Sequence, residues 1–330
     1  MRRAAILLAL VLASCVSAGS DIAKVPGTAP ASASPGAAAV WPLRGTPAPN
    51  ADAAKTRPIV VKVGNDGAAR PQTGIAQADL IIEVPVEGGL TRLAVVFQSN
   101  DPARVGPVRS ARQSDLNYLS PLHAILAHVG ASEAVTKAVR DAAKSGGFID
   151  VDEFQHAEAF ERTTDRQPPY NAYTSGAKLR QAAGSAAGEK VAVGAFAFGN
   201  SDGGADGATL TIPYGEPVKY EFASGTYHRT AGGTKTVDTA GGEVMPDNVV
   251  VIKTDVTEIP GTADAAGAPS FDYRATGSGA VVIMRDGKRF EGTWSRDAND
   301  QYAFKDASGK PILLKPGLTW MHIVPKDFAL

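Results

Sequence analysis

Cysteine is all but absent: Cys15 is the only one among 330 residues. The rest of the chain therefore holds no intrachain disulfide, thiolate metal cage or thiol nucleophile. A chain of this length buries enough surface to fold without such a staple. An excess of charge of one sign is lacking too. Lys and Arg number 33 against 34 Asp and Glu, a formal net charge of −1, so no polycationic surface for nucleic acid is expected. Beyond the first residues no apolar run approaches the roughly 20 residues that a membrane-spanning helix requires. The histidines, His123, His128, His156, His228 and His322, are scattered, with no close pair on one helix. No metal and no cofactor are expected. Aromatics make up only 7%, whereas Gly (35) and Pro (22) are plentiful, which describes strands and loops rather than a helical bundle.

The first residues carry a pattern of their own. Arg2 and Arg3 precede the apolar run Ala4 to Leu12, which has the length of a signal-peptide core. Leu12-Ala13-Ser14-Cys15 follows at once and resembles the lipobox of bacterial lipoproteins. That resemblance implies a signal peptide over residues 1–15 and a diacylated Cys15, which would hold an extracytoplasmic protein to the cell membrane. Two acyl chains make such anchoring stable rather than marginal. Residues 16–40, mostly Ala, Ser, Pro, Gly and Thr, read as a disordered tether. Its reach as a flexible coil is about 25–30 Å.

An α/β domain is expected over 41–214. Pro58 to Val63, Ala78 to Val86, Thr91 to Gln98 and Ala124 to Val129 read as strands, with Gly88-Gly89 as a hairpin turn. Ser110 to Leu119 reads as a short helix, and Ser132 caps a longer one over Ala134 to Lys144. From Val218 onward the helical pattern stops. Short strands at Val218 to Ala223, Asn248 to Asp255, Gly279 to Arg285, Lys288 to Ser295, Tyr302 to Lys305, Pro311 to Lys315 and Thr319 to Val324 predict a mainly antiparallel β domain over 215–330.

Several stretches now match a known pattern: Pro42-Leu43-Arg44-Gly45, Arg70-Pro71-Gln72-Thr73-Gly74, Glu87-Gly88-Gly89-Leu90-Thr91-Arg92, Gly106-Pro107-Val108-Arg109-Ser110-Ala111-Arg112 and Pro169-Tyr170-Asn171-Ala172-Tyr173. Gly292-Thr293-Trp294 and Lys315-Pro316-Gly317-Leu318-Thr319-Trp320 continue it. In these the chain resembles the YerB-type lipoprotein family, a two-part bacterial family of unknown function. The family pattern often carries His where Tyr170 stands and near Thr236, so roles for imidazoles at those places do not transfer.

The arginines are the most suggestive chemistry. Arg92, Arg109 and Arg112 lie at loop-to-element junctions, where guanidinium groups suit phosphate or carboxylate. With His128 and Asn171 they are the candidate binding residues, and Arg70, Arg162 and Arg166 would join from other loops. The alternative is that each arginine pairs with Glu83, Glu87, Asp79 or Asp115 and merely holds loops. Glu83 and Glu87, four apart on one strand, would stand roughly 13 Å apart, too far for a glycosidase pair. Ser132 lacks the nucleophile-elbow pattern. These residues point to a binding or adaptor module at the cell envelope, for an anionic or glycan-containing component. An envelope hydrolase using the same polar loops is the alternative.

Overall fold

The computed structural model describes residues 38–194, 196–263, 267–296 and 301–330. Cys15, the 1–15 signal and nearly all of the 16–40 tether lie outside them.

The β-branched runs become strands buried on both faces. They are β1 (Ile59–Gly64), β2 (Leu80–Pro85), β3 (Thr91–Phe97), β4 (Ile125–His128) and β5 (Ile149–Asp152) from the first half. The second half supplies β6 (Asn248–Thr254), β7 (Gly277–Arg285), β8 (Lys288–Arg296), β9 (Ala303–Lys305) and β10 (Thr319–Pro325). Together with the short Ala205–Asp206 they form one eleven-stranded sheet, in the order β9-β8-β7-β6-β10-β2-β3-β1-β4-β5. Val60, Ile82, Val96, Val250 and Met321 face one core, while Ile59, Ile81, Val95, Val251 and Trp320 face the other. Each such side chain stabilises the fold by about 1.5–3 kcal/mol on burial. Burial on both faces is why the runs read as continuous rather than alternating.

The sheet is mixed, and the protein is mostly strand with few helices. Parallel pairs join β1 to β4 and β4 to β5, with α2 (Glu133–Lys144) crossing between the latter two. Val135 and Val139 form the buried stripe of α2. The other α-helices are shorter, α1 (Asp115–Tyr118) and α3 (Gly176–Ala183). The expected helix over Ser110 to Leu119 shrinks to α1 because residues 109–111 spend their backbone groups on strand ends instead. Arg109 N donates to Lys62 O, and Ala111 N to Gly130 O. Pro311 to Lys315 makes isolated bridges, not a strand.

The second half is not wholly antiparallel. β6 to β9 follow one another antiparallel, but the last strand, β10, inserts parallel to both β6 and β2. Strands from both sides of the boundary expected at 214/215 thus share a sheet, and residues 38–330 form one compact unit. A separate antiparallel meander, Thr209–Ile212, Val218–Ala223 and Thr226–Ala231, lays Leu210, Val218, Tyr220 and Tyr227 against the Trp320 face.

Candidate functional site

β1, β2 and β4 run in the same direction, so their carboxyl ends gather at one edge of the sheet. In open sheets with parallel strands this edge is where ligands sit. The antiparallel β3 begins there, and its second residue, Arg92, stands between Gly64 of β1 and Val84 of β2. The chain after β3 returns over the same edge. Its backbone is pinned to β1 by Arg109 N on Lys62 O at 2.8 Å, and to β4's exit by Val129 N on Arg109 O at 3.1 Å. Gly64 lets the Arg109 stem cross β1, since a Cβ there would stand 3.1 Å from Arg109 Cγ and 2.8 Å from Ala69 Cβ. Arg92, Arg109 and Arg112 thereby line one cavity of about 400 Å3, with Glu87, Leu90 and Ser132 on its walls.

The three guanidinium groups are not equivalent. Arg112 Nε donates to Glu87 Oε2 at 2.9 Å, its Nη2 lies 2.8 Å from the same oxygen, and Ser270 Oγ donates to Glu87 Oε1 at 2.7 Å. Burial alone would raise the Glu87 pKa, but Arg112 and Ser270 hold it below the usual carboxylate value. Arg109 leans over the Tyr170 ring, 5.2 Å from its centre, and reaches Pro169 O at 3.4 Å, while its Nε has no partner among the described residues. Arg92 is 5% exposed, and among the described residues its buried Nε and Nη1 have no hydrogen-bond partner. Among the described residues it forms no ion pair. Burial, then Arg112 and Arg109, push its pKa down to about 9, and Asp66 and Glu87 oppose this only in part. Pairing with a carboxylate therefore accounts for Arg112 and for neither of the other two.

His128 and Asn171 do not line this cavity. The His128 ring is buried, bonded to Gly130 O at 3.0 Å and to Asp150 at 2.9 Å. Burial pulls its pKa down, but Asp150 and Asp152 outweigh that and raise it. Asn171 Oδ1 accepts from Arg162 Nη1, and its amide donates to Thr163 O, which ties a loop together. Arg70 and Arg162 pair with Glu216 and Glu153, and Arg166 donates to the carbonyls of Ala69 and Pro71.

Comparison with known proteins places the chain. The protein of unknown function (DUF3048) N-terminal domain matches residues 43–189, and the DUF3048 C-terminal domain matches 210–321. The chain belongs to this family. A Bacillus subtilis (strain 168) protein, named provisionally as the lipoprotein YerB, is 30% identical over 285 residues, covering 82% of this chain and 81% of that protein. The crystal structure of the Bacillus subtilis YerB protein superposes with a TM-score of 0.73 at 27% identity, covering 86% of this chain and 96% of that one. Among the described residues no helix is long and apolar enough to cross a membrane.

The family's two segments are joined by buried charges that sequence reading missed as partners. Glu83 of β2 meets Arg229 of the meander, Nη2 to Oε2 at 2.9 Å, with both side chains fully buried. Trp320 Nε1, Asn65 Nδ2 and Thr91 Oγ1 also donate to Glu83. Beneath the arginine cavity, Lys62 Nζ donates to Asp115 Oδ1 at 2.6 Å and to Tyr118 OH at 3.0 Å. The signal was present: a lone charge inside an otherwise apolar strand, Lys62 in Ile59–Gly64 and Glu83 in Leu80–Pro85, asks for a buried partner.

His322 of β10 completes the Glu83 layer, with Tyr214 OH at its Nδ1 (3.0 Å) and Tyr220 OH at its Nε2 (2.8 Å). A neutral imidazole offers one donor and one acceptor, which two hydroxyls can match. Burial drives the His322 pKa down from 6.5 to about 4, with Arg229 adding to the effect and Glu83 opposing it. The folded protein keeps the ring neutral while the unfolded chain protonates it. Stability from this residue is therefore full above pH 6.5 and declines toward pH 4, by about 3 kcal/mol. Urea melts on either side of that window check this. His322→Gln, which retains a donor and an acceptor, should lose less stability between the two pH values than the wild type does.

Proposed function

We propose that this protein is an extracytoplasmic lipoprotein, held to a membrane through Cys15, that binds an anionic envelope component in the Arg92, Arg109 and Arg112 cavity. One observation carries the reading: Arg92 is buried, without an ion pair among the described residues, and shares a cavity with two further cations. Like charges gathered out of water disfavour one another. An anion entering the cavity relieves that repulsion and supplies the missing acceptors. The relative's provisional description as a lipoprotein and the Leu12 to Cys15 pattern support the anchor. A hydrolytic reading needs a base, a nucleophile and an oxyanion donor in one pocket. Glu87 is committed to Arg112 and Ser270, and His128 lies elsewhere, so binding is the better supported role.

Arg92→Met tests the site. The substitution removes an unpaired buried cation, so the melting temperature should stay level or rise. Sulfate stabilises most folded proteins by exclusion, so the decisive quantity is the extra stabilisation of wild type over variant at equal ionic strength. Equal responses, with a large loss of stability in the variant, would reduce Arg92 to a structural role. For the anchor, Cys15→Ala should release the protein from the membrane fraction or stall its processing. Unchanged retention and mature mass would count against it.

A further inference from the structure

We propose that the anion is the phosphoryl group of an organic phosphate ester, gripped between Arg92 and the amino end of α2. The proposal rests on the anion-binding reading and narrows it. α2 starts at Glu133, with four residues between it and His128 at the end of β4, so its amino end opens at the same edge of the sheet as the arginine cavity. Ser132 stands at the cap position in extended conformation, yet its side chain makes no capping bond. The first backbone N–H groups of a helix have no partner within it, and the helix dipole adds positive potential there. Such an end is a ready anion site when something else directs an anion to it. Here something does: Ser132 lines the cavity that also holds the unpartnered Arg92.

The direction of the donors selects the chemistry. Arg92 comes from β3 in the sheet, Arg109 comes from the returning loop, and Ser132 opens a helix. Donors brought in from three separate elements suit a tetrahedral group, whose oxygens diverge. A planar carboxylate uses donors near one plane. Size selects further. A cavity of about 400 Å3 lies in the range of small organic ligands and exceeds what a bare oxyanion fills. Leu90, 45% exposed on its wall, offers apolar contact to the remainder. Ser132 also lines an open groove of about 810 Å3 that runs beside α2 past Thr136 and Arg140 to Lys144, leaving room for an ester group to extend outward. Glu133 lines that outer groove and is not among the residues of the inner cavity.

Calorimetric titration of the full chain with sn-glycerol 3-phosphate and with succinate, at equal ionic strength, tests the proposal. The phosphate ester should bind about ten-fold or more tightly than succinate, the scale of one charge-assisted hydrogen bond. Arg92→Met should remove that binding. Ser132→Asp is the discriminating variant. A carboxylate at the cap should satisfy the α2 amides and raise the melting temperature, while abolishing phosphate-ester binding by occupying and repelling from the same place. Succinate binding through Arg92 as tightly as the ester would overturn the phosphoryl assignment and leave anion binding standing. Binding unchanged in a stable Ser132→Asp protein would overturn the role of α2. No Arg92-dependent binding of either probe would overturn the anion-binding reading itself. Competition by phosphatidylglycerol vesicles in the same assay assigns the ester to a lipid headgroup, and its absence to a soluble ester. Both results support the phosphoryl group.

Discussion

Glu83→Gln is expected to remove about 3–5 kcal/mol of folding stability, the cost of leaving one partner of a buried ion pair alone. Both side chains are fully out of solvent, and Arg229 Nη2 lies 2.9 and 3.2 Å from the two carboxylate oxygens. Near neutral pH a guanidinium keeps its proton even when buried, so Arg229 has no route to neutrality there. Burial lowers the Arg229 pKa, yet Glu83 and Tyr220 together more than offset this, and the variant deletes the Glu83 charge. The amide nitrogen of Gln would also face Trp320 Nε1 or Asn65 Nδ2, donor against donor. Arg229→Met added to Glu83→Gln should recover most of the loss, because an apolar chain of similar length needs no partner. Chemical denaturation of wild type, single and double variants measures it. A single variant within 1 kcal/mol of wild type, on the scale of exposed pairs, would show that water reaches this layer.

Asp115→Asn should cost about 3 kcal/mol near neutral pH, and here the loss should shrink as pH rises. Lys62 is fully buried, and burial lowers its pKa below 10.5 even though Asp115 opposes the shift. Without Asp115 the folded-state pKa falls further. The native protein then binds fewer protons than the unfolded chain between that lowered value and 10.5, so stability climbs with pH across the window. A lysine starts from a lower pKa than an arginine and discharges more readily when buried, which makes this variant milder than Glu83→Gln. Asp115 Oδ2 also accepts from the Arg112 backbone N–H at 2.8 Å. The same substitution should therefore loosen the loop that presents Arg112 and weaken anion binding. Urea melts at neutral and alkaline pH check the first effect. A loss independent of pH would mean that Lys62 stays charged and finds another partner.

Much of the strand content was legible because β-branched runs bounded by Pro and Gly have few other uses. Pro58 to Val63, Thr91 to Gln98 and Thr319 to Val324 became β1, β3 and β10 within a residue or so. The Ser110 to Leu119 stretch misled because its local pattern suits a helix, while distant strand ends claimed the backbone of residues 109–111. The gathering of Arg92, Arg109 and Arg112 was legible from their places beside strand and helix ends. His128 and Asn171 shared that placement, yet Asp150 and Arg162 took their polar groups. Nothing local to either residue announces those partners.

By itself the sequence determined the strands, the near-absence of thiol chemistry, the balance of charge and the family pattern, since each depends on residue type and short-range spacing. Tertiary structure alone decided which charges are spent and which are free. Glu83 finds Arg229 across 146 residues, and Lys62 finds Asp115 across 53. β10 comes from the far end of the chain to lie beside β2. Sheet pairing brings together residues whose separation along the chain carries no information about their separation in space. Among the described residues Arg92 forms no ion pair: Glu83, Glu87 and Asp115 pair with Arg229, Arg112 and Lys62, Asp79 accepts backbone amides, and Asp66 offsets the burial of the guanidinium only in part.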